Sequence, residues 1–439
     1  MNLGAGGRFQ ALFDGLERGL DGAPNRLRLV HAEITASSSL AGRLSIPGIC
    51  SRQHCSRGLW GFAGPPGDVA PKPKKTACGV CGRWHRSFYD QKLRVVRDLA
   101  CGEHRIYLEL LVRRVACRSC GKVKRERLAW LADNPFYTKR FAWLVGRRCR
   151  TATIKDVARE LGLHWDTVKE LEKQYMREQW RRAGTPAPKV IGIDEISIRR
   201  GHTYRIVVSD LLRRRPIWFG GQDRSEESLD LFYQQLGVRK TRGIYLAVMD
   251  MWKPFKNATL KHIPEVAILF DKFHVVSHLG EALDQVRQSE YARLTGKHRQ
   301  FVKGQKYTLL SNRANLTLDG RRSLAKLLQA NQRLNIAYLL KESFGQLWNY
   351  QSEIWARRFF ENWKQALKWQ RLEPYQKFAR MIDRHWDGIA AYCQPRNKVP
   401  LGFVEGLNNK IRVLQRRAYG LRDEEYLRLK ILTCMLPEI

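Results

Sequence analysis

Val190-Ile191-Gly192-Ile193-Asp194 is an unbroken apolar run that ends on a carboxylate. The pattern returns in Tyr245-Leu246-Ala247-Val248-Met249-Asp250 and in Val266-Ala267-Ile268-Leu269-Phe270-Asp271. Short continuous apolar runs fit strands buried on both faces, as in a parallel sheet. Functional groups of such sheets gather at the carboxyl ends of the strands. Neighbouring strands would therefore set Asp194, Asp250 and Asp271 side by side. Close carboxylates repel unless a cation stands between them, and an oxygen-only donor set suits Mg2+ or Mn2+. Two such ions about 4 Å apart can activate an attacking oxygen and stabilise a leaving one in phosphoryl transfer. The plain alternative is that a strand-ending aspartate caps a turn or the next helix. For one aspartate the choice is even; for three in one segment the metal site is favoured.

A further carboxylate lies far downstream, in Gly402-Phe403-Val404-Glu405-Gly406-Leu407-Asn408-Asn409-Lys410-Ile411-Arg412. Val404, Leu407, Ile411, Leu414 and Ala418 recur at steps of three and four, which predicts a helix with one buried stripe. Glu405, Asn409, Arg412 and Arg416 share the adjacent polar face. A carboxylate one turn above an amide and two arginines could hold a metal while the arginines meet phosphate. Taken alone, a solvated face with ion pairs is the simpler reading of this helix.

Upstream, Cys78-Gly79-Val80-Cys81-Gly82 and Cys117-Arg118-Ser119-Cys120-Gly121 form two matched C-x2-C-G units. Four thiolates complete a tetrahedral Zn2+ site, structural because no position stays open for chemistry. The glycine after each pair tolerates positive φ. Residues 82–116 separate the pairs more widely than usual zinc templates do, so a hairpin in the gap must bring them together. Strand-like Ile106–Val112 fits that hairpin. Cys101 and His104 are rival ligands. Cys50, His54 and Cys55 match no metal template and read as unpaired groups.

The stretch from Thr153 to Lys169 predicts a helix-turn-helix. Thr153 caps the first helix, Ala158 is small where two helices cross, Gly162 permits the turn, and Val157, Leu161 and Val168 form the apolar seam. The second helix would offer His164, Trp165, Thr167, Lys169 and Glu170 to a DNA major groove. An ordinary helical hairpin is the alternative, disfavoured by the neighbouring cysteine units and by the charge.

That charge is large. The 439 residues carry 79 Lys plus Arg against 42 Asp plus Glu, a formal +37 with a pI near 10.2. Such a balance implies a polyanionic partner. A hydrophobic fraction of 44% supports real cores and excludes a disordered chain. No run approaches the roughly 20 apolar residues of a membrane span, and the N-terminus lacks the basic start and apolar core of a secretory signal. The cytosol is the expected compartment, where ten cysteines read as thiols and metal ligands rather than disulfides. Residues 1–75, rich in Gly, Pro and Ser, read as mostly loop with a short helix near 8–20 and receive no role. Residues 275–395 show helical patterns in which Trp348, Trp355, Trp363, Trp369 and Trp386 alternate with basic residues. Helical core is the favoured reading of these indoles, and stacking on unpaired bases is the alternative.

At this point the sequence resembles a known family. The set IGIDEIS, AVMDMWKPF, FDKFHVV and GFVEGLNNKIRVLQRRAYGLRD is similar to the catalytic domain of bacterial insertion-sequence DDE transposases of the ISL-three family, across roughly residues 76–435. The resemblance implies an α/β, RNase H-like fold with an Asp-Asp-Glu triad, carried here by Asp194, Asp250 and Glu405 on Mg2+ or Mn2+. It makes Asp271 and His274 supporting residues, with Asn409 and Arg412 beside Glu405. Glu195 competes with Asp194, and strand alternation lets only one of them face the metals. The expected organisation is an unassigned 1–75, a zinc ribbon at 76–130, a helix-turn-helix at 131–182, a linker at 183–188, a catalytic domain at 189–274 and 396–439, and an all-α insertion at 275–395. The implied partners are double-stranded DNA at the element ends and the target, with no membrane. The implied assembly is a homodimer or higher synaptic complex in the bacterial cytosol. The rivals are a non-catalytic zinc-ribbon and helix-turn-helix DNA-binding regulator, and a nuclease that cuts without strand transfer.

Overall fold

A computed structural model describes residues 76–102, 104–199, 203–418 and 421–439, together with the backbone of a short strand, β1 (Arg28–Ala32). The expected helix near 8–20 and Cys50, His54 and Cys55 lie outside the described residues. β1 departs from the expectation of loop for 1–75. The described chain divides into two units, Met1–Glu178 with Ile439, and Gln179–Glu438.

In the first unit, β2 (Thr76–Ala77) and β3 (Trp84–His85) pair around the first cysteine unit. β4 (Asp90–Arg97) and β5 (Ile106–Cys117) form a long antiparallel hairpin, from Asp90 opposite Arg114 to Arg97 opposite Tyr107. β5 is longer than the apolar run Ile106–Val112 suggested, because alternation resumes in the opposite phase after the buried pair Val112 and Arg113 and runs through Val115 to Cys117. β6 (Lys122–Arg125) pairs back on its end, and β1 pairs on its start. Three helices follow: α1 (Lys139–Thr151), α2 (Ile154–Leu161) and α3 (Trp165–Ala183). Asp98, at the end of β4, ties hairpin to helices. Its Oδ1 accepts from Thr138 Oγ1 at 2.7 Å and from Arg140 Nε at 2.6 Å, and Thr138 caps α1.

In the second unit, β7 (Val190–Arg199), β8 (Thr203–Asp210) and β9 (Arg215–Gly220) form an antiparallel meander. After α4 (Glu226–Leu236) and α5 (Val238–Thr241), β10 (Leu246–Met249) runs parallel to β7. α6 (Lys253–His262) leads to β11 (Ala267–Phe270), parallel to β10. The sheet order is β11-β10-β7-β8-β9. The three apolar runs are thus the three parallel strands at its centre and edge.

Helices then follow in succession: α7 (Lys272–Arg293), α8 (Gly296–Gly304), α9 (Lys306–Leu310), α10 (Leu318–Ala330), α11 (Gln332–Phe344), α12 (Glu353–Leu367), α13 (Glu373–Arg384) and α14 (Trp386–Ala390). Phe344, Phe360, Tyr375 and Phe378 fill their interior, continuous with the apolar layer beneath the sheet. Trp348, Trp363 and Trp386 belong to this core, whereas Trp355 and Trp369 are 57% and 81% exposed. α15 (Gly402–Arg417) crosses the opposite sheet face, followed by α16 (Glu424–Thr433).

Candidate functional site

Alternation along β7 decides what each of its residues faces. Ile191 and Ile193 pack toward α4 and the helical layer, while Val190 and Ile196 pack toward α15 and α16. Asp194 shares the second face. Met249 stands opposite Ile193 and also opposite Phe270. One residue on, Asp194, Asp250 and Asp271 follow these matched positions, in line across the carboxyl ends of three parallel strands. Leu246, Val248 and Leu269 pack on the α15 side, so the same alternation directs Asp250 and Asp271 there too.

α15 lies close against this face because β7 has no side chain at Gly192. A Cβ there would stand 3.0 Å from Val404 Cγ2 and 2.9 Å from Leu211 Cδ2. One turn after Val404, Asn408 Nδ2 donates to Asp194 Oδ2. Asp194 Oδ1 accepts from the Glu195 N–H at 2.8 Å. Glu405 precedes Asn408 by three residues on the same side of the helix, and it is exposed. Asn409 and Arg412 are exposed and bond to each other, Arg412 Nη1 donating to Asn409 Oδ1 at 3.2 Å.

The remaining carboxylates take separate partners. Asp250 is half-buried and its Oδ1 accepts from the Met251 N–H at 2.5 Å. Asp271 is buried and caps α7, Oδ1 accepting from the Phe273 N–H at 3.0 Å, the role foreseen as the alternative for a strand-ending aspartate. Its Oδ2 lies 3.5 Å from His274 Nδ1, an ion-pair distance too long for a good hydrogen bond. Glu195 faces the other way and accepts from Arg224 Nη1 at 3.0 Å.

Burial pushes the Asp194 carboxyl up to about 6, against the opposing pull of Asn408 and the Glu195 N–H. The His274 imidazole is raised to about 9, first by Asp271 and then by the fields of Asp250 and Asp194, with burial opposing. One imidazole therefore feels all three strand-end aspartates. Two buried polar atoms at this site, Asn408 Oδ1 and His274 Nδ1, have no hydrogen-bond partner.

The cysteine units meet in the first unit. Cys117 ends β5 and Cys78 sits opposite Glu126, just past β6. The Sγ atoms of Cys78, Cys81, Cys117 and Cys120 all lie within 4.8 Å of one another, with 3.6 Å between Cys81 and Cys117 and 4.0 Å between Cys78 and Cys120. Tetrahedral zinc with Zn–S bonds of about 2.3 Å needs sulfurs about 3.8 Å apart, so the cluster is compatible with a zinc site. Gly82 and Gly121 have φ of 73° and 63°, as the turns require. Backbone N–H groups of Cys81 and Val80 pull Cys78 down to about 7, and hydrogen bonding with Cys81 pushes Cys120 up to about 12. Cys101 and His104 pair through their backbones at the far end of the hairpin, outside the cluster. Among the described residues, these four cysteines are the only such compact group of metal-ligating side chains.

Residues 191–431 match the ISL3 group of DDE transposases, described as transposase, and residues 126–176 match the helix-turn-helix domain of transposase family ISL3. The chain belongs to the ISL3 transposase family. It is 35% identical to the transposase for insertion sequence element IS1001 of Bordetella parapertussis, over 83% of this chain and 89% of that protein. It is 29% identical to the transposase for IS1557 of Mycobacterium tuberculosis, over 80% of this chain and 83% of the relative.

In this transposase the helix-turn-helix forms as its residues dictate. Thr153 Oγ1 accepts from the Asp156 N–H at 3.2 Å, and Gly162 closes α2 in the left-handed conformation at φ 60°. Val157, Ala158 and Val168 are buried together. At the start of α3, His164 and Trp165 are exposed, while Thr167 and Lys169 are half-buried and Thr167 bonds to Tyr137. No helix among the described residues is long and apolar enough to cross a membrane.

Sequence reasoning passed over Asn408, Arg224 and Trp252. Asn408 carried a usable signal. At about 100° per residue it lies only about 40° around the helix from Val404, against about 140° for Asn409. Its place beside the apolar stripe is what brings it to β7.

Proposed function

We propose that this transposase binds the terminal inverted repeats of an insertion sequence and catalyses divalent-metal-dependent DNA strand cleavage and strand transfer at Asp194, Asp250 and Glu405. The observation that carries the reading is the strand register. It sets Asp194 and Asp250 on adjacent parallel strand ends, on one face, beneath the helix that bears Glu405. The order β11-β10-β7-β8-β9, an antiparallel meander β7–β9 with β10 and β11 added parallel to β7, supports an RNase H-like assignment of this sheet. Residues 275–395 are then an insertion between β11 and α15.

The donor set suits Mg2+ or Mn2+ in chemical kind, although the three carboxylates do not converge into one compact group in this structure. It is made of carboxylate oxygens, and the buried Asn408 Oδ1 beside Asp194 has no other partner. When bound there, the ions supply an activated oxygen nucleophile and stabilise the leaving oxygen. Asn408 orients Asp194, and Asp271 fixes the start of α7 and with it His274. The exposed Arg412 and Arg416 on α15 face solvent where a phosphate backbone can approach. Zinc held by Cys78, Cys81, Cys117 and Cys120 would fix the hairpin, and α3 would present His164, Trp165, Thr167 and Lys169 to a major groove. Two ends must be joined, which calls for a homodimer or larger synaptic complex.

The test mixes purified protein with element-end DNA, with and without Mg2+, and maps the products. Cleavage at the ends, joining of pre-cut ends to target DNA, and loss of both in Asp250→Asn are expected. Binding without metal-dependent cleavage would indicate a regulator, and cleavage without joining a nuclease.

A further inference from the structure

Near Asp250 in the chain, and on the face of β7 opposite Asp194, stands a second cluster with no part in the chemistry above. Glu195, next in chain to Asp194, holds Arg224. The Arg224 guanidinium lies between two rings, 4.6 Å from the centre of Tyr204 and 4.7 Å from that of Trp252. Trp252 is fixed a second time, its Nε1 donating to the Arg224 carbonyl at 2.8 Å. Yet the residue is 39% exposed.

These contacts make a stack of ring, guanidinium and ring that ends at solvent. An indole left loose at a surface gains by folding onto apolar neighbours. This one is held outward by a hydrogen bond and a cation–π contact. A rigid, flat, partly wet aromatic surface is suited to a planar ligand, which loses little freedom in covering it. The position narrows the ligand. Trp252 follows Asp250 by two residues, so their Cα atoms lie within about 7 Å, while Glu195 anchors the far end of the stack from the face of β7 opposite Asp194. A strand whose phosphate lay at Asp250 would bring a neighbouring base within reach of the indole. Lys253, exposed and adjacent in chain, is placed for the neighbouring phosphate.

We propose that Trp252, backed by Arg224 and Tyr204, is a stacking platform for an unpaired DNA base beside the scissile phosphate. The proposal rests on the function assigned above. Stacking of this kind tolerates any base, because every base has a π-face. Trp252 then sets the register of the cut strand without reading its sequence.

The test is a protein-by-DNA cycle. Affinities of the full chain and of Trp252→Ala are measured for element-end duplexes carrying one abasic site at successive positions around the cut, with Ca2+ replacing Mg2+ to prevent cleavage. At one position within two nucleotides of the cut, the missing base should weaken wild-type binding about 10-fold and leave Trp252→Ala unaffected. Trp252→Phe should keep most of the effect, and Arg224→Gln, which removes the guanidinium against the indole but keeps the backbone carbonyl it bonds, should lose part of it. If Trp252→Ala fails to fold, Trp252→Leu keeps bulk without the ring and gives the same comparison. Equal abasic costs in wild type and variant at every position, with wild-type Mg2+-dependent cleavage intact, overturn the platform alone. Absence of that cleavage overturns the function on which it rests.

Discussion

Gly192→Ala is the smallest change that should separate α15 from the strand-end aspartates. Gly192 sits inside β7, paired on both sides, with nothing in its backbone that demands glycine. An alanine there should gain about 0.5–1 kcal/mol from lost chain entropy. Its Cβ, however, would stand 2.9 Å from Leu211 Cδ2 and 3.0 Å from Val404 Cγ2, where carbon contacts prefer about 3.5–4.0 Å. Leu211 can change rotamer, but Val404 is branched at Cβ and stiff. The helix must therefore lift by roughly 0.5–1 Å, at an overpacking cost of about 1–3 kcal/mol. Net stability should fall by no more than about 2.5 kcal/mol. Activity should fall further, since a 1 Å misplacement of a catalytic group costs on the order of 100-fold, and the lift carries Asn408 off Asp194 and displaces the helix that bears Glu405. Single-turnover cleavage of element ends in Mg2+, read beside thermal melting, separates the two effects. Gly192→Ala combined with Val404→Ala restores room and should recover much of the rate. A wild-type rate in the single variant, or no recovery in the double, would refute the claim that this contact positions α15.

Three further outcomes follow from the first unit. In Gly146→Ala the new Cβ would fall 2.2 Å from Tyr175 Cγ, where α1 crosses α3; the variant should lose about 1–3 kcal/mol or more in thermal melting. Burial opposes ionisation of Asp98, but Arg140 and Thr138 outweigh it and hold the carboxyl below its usual range. Its contribution to stability should therefore be complete above about pH 4 and fade as pH falls below that, and Asp98→Ala should melt lower at pH 7 with less added loss in acid. Metal analysis should find one zinc per chain, lost in Cys117→Ser, and chelation should abolish specific DNA binding; full binding after chelation would count against a structural zinc.

The five-stranded sheet was legible because its centre is buried on both sides. Only strands in that setting are apolar at every position, and each of the three runs stops where the carboxylate begins. The hairpin was legible from the run of β-forming residues Ile106–Val112 and from the need to bring the two cysteine units together. Beyond these local rules, strand order and register come from the packing of distant segments, and no spacing in the sequence encodes that Met249 stands opposite Ile193. The insertion tryptophans show the same limit. Trp363 and Trp355 lie on one helix, yet Trp363 is 4% exposed and Trp355 is 57% exposed, and only the partner helices decide which.

The choice between Asp194 and Glu195 shows how a weak local rule becomes decisive once one contact is fixed. Alternation states that these side chains face opposite sides, but not which side meets α15. Gly192 settles that two residues earlier, since only its side of the strand admits a helix close enough for Val404 and, one turn on, Asn408. With α15 on that face, Asp194 has no other direction to point. Glu195 is left to Arg224, and the charge that could have competed for a cation instead anchors the stack ending at Trp252. A single missing side chain in the strand thus fixes which carboxylate meets the helix and which one holds the aromatic cluster beside it.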